Sequence, residues 1–160
     1  MKKSGRETPY IVLLLIVAFA SFICSVFFVQ LLLIQGESME PTYRSGQLVL
    51  TSKLDKDYER GDCVLFYCEE LKTSLVKRIA ALPGDCVQIK DGTLYIDSNP
   101  VLPYPGAGEI EDAGLAEETL IIPEGHYFVL GDNFSRSKDS RHSEVGFVAR
   151  EDIRGKIIQH

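Results

Sequence analysis

The sequence predicts a mainly β domain, built as coiled antiparallel sheets or a partly open β-barrel, behind one amino-terminal transmembrane helix. Three observations carry this reading. Residues 10–34 hold no charged side chain. After residue 34 no stretch keeps a long helical period, and short apolar runs alternate with Gly, Pro and Asp turns. Finally, residues 87–90 and 93–96 flank Asp91 and Gly92, and an Asp-Gly pair suits the two positive φ values of a type I′ hairpin turn.

In chain order, residues 1–9 form a short basic tail, with Lys2, Lys3 and Arg6 against Glu7. Residues 10–34 follow as the anchor. As one helix they would rise about 37 Å, enough to cross a hydrocarbon core of about 30 Å with some tilt. A cleaved secretory signal is the competing reading, but the run is longer than the usual apolar region and lacks a small-x-small site before a mature start. The basic tail places the amino terminus in the cytoplasm and residues 35–160, the β-rich domain, on the far side. Strands are expected over 47–51, 63–67, 74–81, 87–90, 93–96, 127–130, 146–149 and 155–158. Residues 100–118, rich in Pro, Gly and acidic side chains, read as a surface loop.

The net charge of −6 speaks against nucleic acid as a partner, since phosphate binding needs a basic face. Cys24, Cys63, Cys68 and Cys86 make no CxxC pair and lie far from His126, His142 and His160, which is poor spacing for zinc. Cys63 and Cys68 stand either as a disulfide or as two semi-buried thiols.

The chemistry centres on Gly-Glu-Ser-Met-Glu-Pro-Thr at 36–42, where the apolar run stops. Ser38 there is a candidate nucleophile at a membrane surface, but a serine hydroxyl needs a base at neutral pH. None of the three histidines is singled out by its setting. Lys77 is the better candidate, because it lies inside the largely apolar run 74–82. Strand alternation puts Lys77 and Arg78 on opposite faces. The bland alternative has both reaching solvent from an edge strand. As a base, Lys77 needs a pKa well below the free value, which apolar burial supplies and a nearby carboxylate opposes. Glu37 and Glu40 should therefore point away from it. A third cluster, 131–141, is too polar for a strand; it offers several hydroxyls and an Asp139–Arg141 pair that stiffens a loop.

Together these clusters resemble bacterial type I signal peptidase, the membrane-anchored Ser-Lys serine protease, in its small single-anchor form. The resemblance covers nearly the whole chain in order: the anchor, Gly-x-Ser-Met-x-Pro-Thr, Lys-Arg-x-x-x-Leu-Pro-Gly-Asp, and Gly-Asp-Asn-x-x-x-Ser-x-Asp-Ser-Arg. It implies Ser38 as nucleophile, Lys77 as general base and Ser137 as the hydroxyl that bonds the lysine. It implies that Asp139 and Arg141 shape the loop behind the site, that Met39, Pro41 and Thr42 set the nucleophile turn, and that Arg78, Pro83, Gly84 and Asp85 are structural. The implied substrates are exported preproteins, cut after small residues (Ala-x-Ala) at the outer face of a bacterial cytoplasmic membrane, with no metal or cofactor. Phe134 departs from the arginine usual after Gly-Asp-Asn. Gly36 stands where some members carry a serine that aids the oxyanion hole, leaving that hole to backbone N–H groups including that of Ser38. Three other readings stay open: a non-catalytic anchored module, a peptidase dedicated to a few partners, and a soluble self-cleaving Ser-Lys repressor, the last disfavoured by the anchor.

Overall fold

The computed structural model describes residues 8–158, without the side chains of 8 and 23–27. Helix α1, Thr8–Phe28, passes directly into strand β1, Val29–Leu33. β1 pairs antiparallel with β2, Leu48–Ser52, setting Leu31 opposite Leu50 and Leu33 opposite Leu48. The expected single helix over 10–34 therefore ends at Phe28. The cause is physical: an apolar run reads alike as helix or strand, and here the β2 edge satisfies its backbone groups. Among the described residues no helix is long and apolar enough to cross a membrane. Most of the basic tail, the Cys24 side chain and His160 lie outside them.

The remaining strands are β3 Cys63–Cys68, β4 Thr73–Ala81, β5 Cys86–Lys90, β6 Thr93–Ile96, β7 Asn99–Val101, β8 Leu120–Ile121, β9 His126–Leu130, β10 Val148–Ala149 and β11 Ile153–Ile157. They build a seven-stranded sheet in the order β1-β2-β11-β3-β4-β9-β10 and a four-stranded sheet in the order β7-β6-β5-β8. The mainly β, antiparallel architecture is thus as the sequence predicts. The Asp91–Gly92 hairpin also holds, both residues having positive φ, 48° and 75°.

Alternation sorts the side chains into cores. Val87, Ile89, Leu94 and Ile96 of the small sheet pack with Phe128 and Leu130 of β9. Val64, Phe66, Ile79 and Val129 fill a second core. A third, smaller one joins Ile34, Met39, Tyr43, Val49, Cys63 and Ile157, and it lies under the 36–42 turn. Cys63 and Cys68 are both free and buried at opposite ends of β3. Their odd spacing sends them to opposite sheet faces, so they cannot bridge without moving the strand.

The 100–118 stretch is more ordered than a surface loop. Val101 closes β7, a 3₁₀ turn spans Gly114–Glu117, and Ile110 and Ala116 are buried in the first core. Composition hid this, because two apolar anchors suffice to tie down a polar segment.

Candidate active site

The turn at 36–42 is pinned from below by Met39, which is buried in the third core. Tyr43 N–H donates to Met39 O at 2.8 Å and Glu40 N–H to Glu37 O at 3.1 Å. Ile34 and Gly46–Gln47 close its base with bonds of 2.8 and 2.9 Å. Gly36 takes a φ of 85°, where a side chain would be strained. The Glu40–Pro41 peptide is cis. Ser38 is thereby held at the head of the turn, and its carbonyl accepts a bond from Asn133 N–H at 3.0 Å. Among the described residues no group accepts from the Ser38 N–H.

Lys77 lies on β4 opposite Val64, and alternation turns it inward, only 2% exposed. Its Nζ donates to Ser38 Oγ at 2.7 Å and to Val76 O at 3.0 Å. Burial pushes its pKa down from 10.5 to about 8; Arg141 helps, while Asp139 and Asp132 oppose. Neither Glu37 nor Glu40 figures among these influences. Glu37 instead pairs with Arg136.

Arg78, on the other face of β4, meets Asp132 through two bonds, Nε to Oδ1 at 2.8 Å and Nη2 to Oδ2 at 2.6 Å. It also donates to Gly61 O at 2.7 Å and, at 3.4 Å, to Thr42 Oγ1. The Tyr104 hydroxyl donates to Asp132 O at 2.9 Å. Arg78 thus ties the nucleophile turn to the 131–141 loop. Asp139 is fully buried; its Oδ2 accepts from Gly131 N–H at 3.0 Å, and Arg141 Nε donates to its Oδ1 at 2.8 Å. Arg141 further donates to Asp112 O at 2.9 Å and Phe134 O at 2.8 Å. The Phe134 ring lies 5.9 Å from that guanidinium, so the residue that departs from the family pattern still packs on the loop. Asp85 caps Pro83–Gly84, accepting from Leu82 N–H at 2.6 Å and from Arg60.

Ser137 is buried beside Gly131, and among the described residues its hydroxyl has no partner. The bond to Lys77 that the resemblance implies is therefore not formed: the amine spends its contacts on Ser38 and Val76. His126 bonds Glu124 O, and His142 accepts from Asp139 N–H at 3.4 Å; neither bonds Ser38. Sequence reasoning missed Asn133, Asp132 and Tyr104 as site partners. Each acts across tens of residues; Asp132 and Asn133 stand in the Gly-Asp-Asn motif, but nothing local in it names their partners.

A serine hydroxyl bonded to a buried amine of lowered pKa is the equipment of a serine hydrolase that takes its base from lysine. The comparisons make the class particular. The sequence profile described as "Signal peptidase, peptidase S26" matches residues 7–159. Signal peptidase I of Bacillus licheniformis is 36% identical over 133 aligned positions, covering 77% of this chain and 71% of that protein. Signal peptidase I U of Bacillus subtilis is 34% identical over 164 positions, covering 96% and 87%. A crystal structure of a signal peptidase I from Enterococcus faecalis superposes with a TM-score of 0.52 at 30% identity, covering 64% of this chain and 97% of that one. The chain belongs to the signal peptidase family, peptidase S26.

Proposed function

We propose that this protein is a serine endopeptidase that removes signal peptides from exported preproteins, with Ser38 as nucleophile and Lys77 as general base. The observation that carries the reading is the 2.7 Å contact between Lys77 Nζ and Ser38 Oγ at a lysine that is 2% exposed. A neutral Lys77 takes the Ser38 proton as Oγ attacks the carbonyl carbon. The oxyanion is held by backbone N–H groups, that of Ser38 among them, which is worth about 10²–10³ in rate per donor. The lysine ammonium then gives its proton to the leaving amine as the C–N bond breaks, leaving an acyl-enzyme. Lys77 next deprotonates a water as it attacks the ester carbon, then returns that proton to Ser38 Oγ as the C–O bond breaks, which frees the acid product and restores the neutral amine. A neutral amine has one lone pair and two N–H groups. With the lone pair facing Ser38 and one N–H on Val76 O, the second N–H is left for Ser137 Oγ.

The substrate side is an apolar cavity of about 270 Å³, lined by Leu32, Ile34, Leu65, Leu75 and Val76 and opening on Ser38 and Lys77. In this reading it receives the side chains at the first and third positions before the bond, those of the Ala-x-Ala pattern. α1 anchors the domain at the outer face of a bacterial cytoplasmic membrane, with the amino terminus in the cytoplasm. The exposed leucines 31, 33, 48 and 50 on the β1–β2 face support a lipid-facing edge beside it. No step uses a metal or cofactor.

The test is incubation of the full chain in lipid or detergent with a preprotein carrying Ala-x-Ala, followed by sequencing of the new amino terminus. Cleavage at that bond, lost in Ser38→Ala, is expected. A folded wild type that leaves the preprotein intact contradicts the proposal.

A further inference from the structure

Tyr104 lies far from the dyad in sequence, yet the chain around it is built to hold one conformation. Pro103 and Pro105 flank it. A proline ring fixes its own φ and keeps the residue before it extended. Gly106 follows with a φ of 87°, and Ala107 N–H donates to Tyr104 O at 3.1 Å. Proline at the second place and a glycine of positive φ at the third are what a type II turn asks for. Tyr104 is the first residue of that turn, so the local sequence has already removed much of the backbone freedom that placing its ring would cost.

Ring and hydroxyl make separate contacts. The ring faces the Arg78 guanidinium, whose carbon lies 5.4 Å from its centroid, within cation–π range. The hydroxyl donates to Asp132 O at 2.9 Å. That carbonyl and the Asn133 N–H belong to one peptide unit, and the N–H donates to Ser38 O at 3.0 Å. A peptide unit is planar and stiff, so holding both of its ends fixes its position. Arg78, against the ring, holds the Asp132 carboxylate through two bonds and reaches Thr42 Oγ1. Tyr104 therefore bears on the nucleophile turn at two points, on Ser38 through Asn133 and on Thr42 through Arg78. Burial first, and the Asp132 charge second, raise its pKa above the usual tyrosine value, which keeps the hydroxyl a donor. The hydroxyl bonds neither Ser38 nor Lys77 directly. Tyr104 lines neither the apolar cavity at the dyad nor the wider cavity beyond Glu40 and Pro41.

We propose that Tyr104 is a positioning residue for the cleavage reaction: its hydroxyl clamps the Asp132–Asn133 peptide, and that peptide holds the Ser38 main chain where Oγ meets Lys77. The inference rests on the proposed signal-peptidase reading. The Ser38 carbonyl carbon is bonded to the Cα that carries the reacting side chain, and a 2.7 Å contact with Lys77 Nζ tolerates little displacement. Without the clamp, Met39 and Tyr43 still anchor the turn in its core. The loss therefore falls on alignment and not on the fold. One neutral hydrogen bond shifts an equilibrium by up to about tenfold, and a misplacement of about 1 Å lowers a rate by about 10². Loss of the hydroxyl should thus lower kcat by about tenfold, while KM holds because no surface that meets substrate is altered.

The experiment measures kcat and KM on an Ala-x-Ala peptide for the full chain in detergent, as wild type, Y104F and L102A. Y104F removes the hydroxyl and keeps the ring on Arg78. Leu102, 66% exposed on the same segment, is the control. Y104F should lose about tenfold in kcat, with KM within about twofold of the wild type. Its pH midpoint should stay near 8, because Tyr104 is not among the groups that set the Lys77 pKa. L102A should match the wild type. An unchanged kcat in Y104F, a loss carried by KM instead, or an equal loss in L102A overturns the inference and leaves the proposed function standing. A Y104F protein that urea denaturation shows to be unfolded also overturns it, since the hydroxyl would then hold the fold itself. If the wild type cuts nothing, the proposed function fails, and hydrogen exchange of the Asn133 amide, followed by NMR, decides the clamp separately. Faster exchange in Y104F but not in L102A upholds it; equal exchange in wild type and Y104F overturns it.

Discussion

Lys77 is kept where a charged amine is unwelcome, and that choice has a cost in stability. In the unfolded chain its pKa is the ordinary 10.5, and in the fold burial brings it to about 8. Between those values the unfolded chain binds more protons than the folded one, so this residue makes stability rise as pH climbs from about 8 to 10.5. Below about 8 the full penalty is present. At 1.36 kcal/mol per pH unit it is on the order of 3 kcal/mol. Lys77→Met should therefore raise the unfolding free energy at pH 7 by about 2–3 kcal/mol, measured by urea denaturation, while abolishing cleavage. Its advantage should shrink through the same pH window. Equal stability of the two proteins at pH 7 would mean that the amine is not penalised by its setting. Ser137→Ala should lower the cleavage rate less than Ser38→Ala does, because in the proposed mechanism Ser137 only receives a bond from the neutral lysine and does not react. Alternation along β4 was enough to read from the sequence that Lys77 and Arg78 face opposite ways. That Lys77 reaches Ser38 was not readable from spacing, since 39 residues separate them; only the order of the motifs suggested it.

The element that braces the nucleophile turn is the 131–141 loop, through Asn133 N–H on Ser38 O and Asp132 on Arg78, and its tolerance for change is small. Gly131 has no room for a side chain between Ser137 and Ser38 O. Gly131→Ala should cost about 1–3 kcal/mol from overpacking and lower kcat/KM by about 10² or more, because relief comes only by shifting the nucleophile turn. Arg141→Lys keeps the charge beside Asp139 but loses the fork that reaches Asp112 O and Phe134 O. It should destabilise by about 2–4 kcal/mol, read as a lowered urea midpoint, since buried groups are left unpaired. The sequence marked this loop as polar and stiffened by Asp139 and Arg141. It did not reveal that the stiffening reaches the 100–118 segment, because the acceptors are backbone carbonyls and carry no residue signature. β1 escaped notice for a related reason. Val29–Leu33 is as apolar as the helix before it, and only the β2 edge decides its form.

At the scale of the molecule, α1 and the domain are joined through β1, so where the chain is cut matters. Removing residues 1–28 spares β1, whereas removing 1–34 also takes Ile34 from the third core and bares the β2 edge. The shorter truncation should fold and cut a soluble Ala-x-Ala peptide at near the full-chain rate, yet cut a vesicle-bound preprotein about tenfold or more slowly. The longer one should lose several kcal/mol and tend to associate through its exposed strand. Vesicle flotation and urea denaturation of both truncations check this. The β class was legible because hairpin and turn residues recur along the chain, while the split into two sheets depends on long-range pairings such as β4 with β9. The central claim, that a neutral Lys77 serves Ser38, is tested most directly by the pH dependence of kcat/KM on a peptide substrate. The account predicts a single rise with a midpoint near 8, where Lys77 loses its proton. A midpoint near 10, or a profile already flat above pH 6, would contradict it.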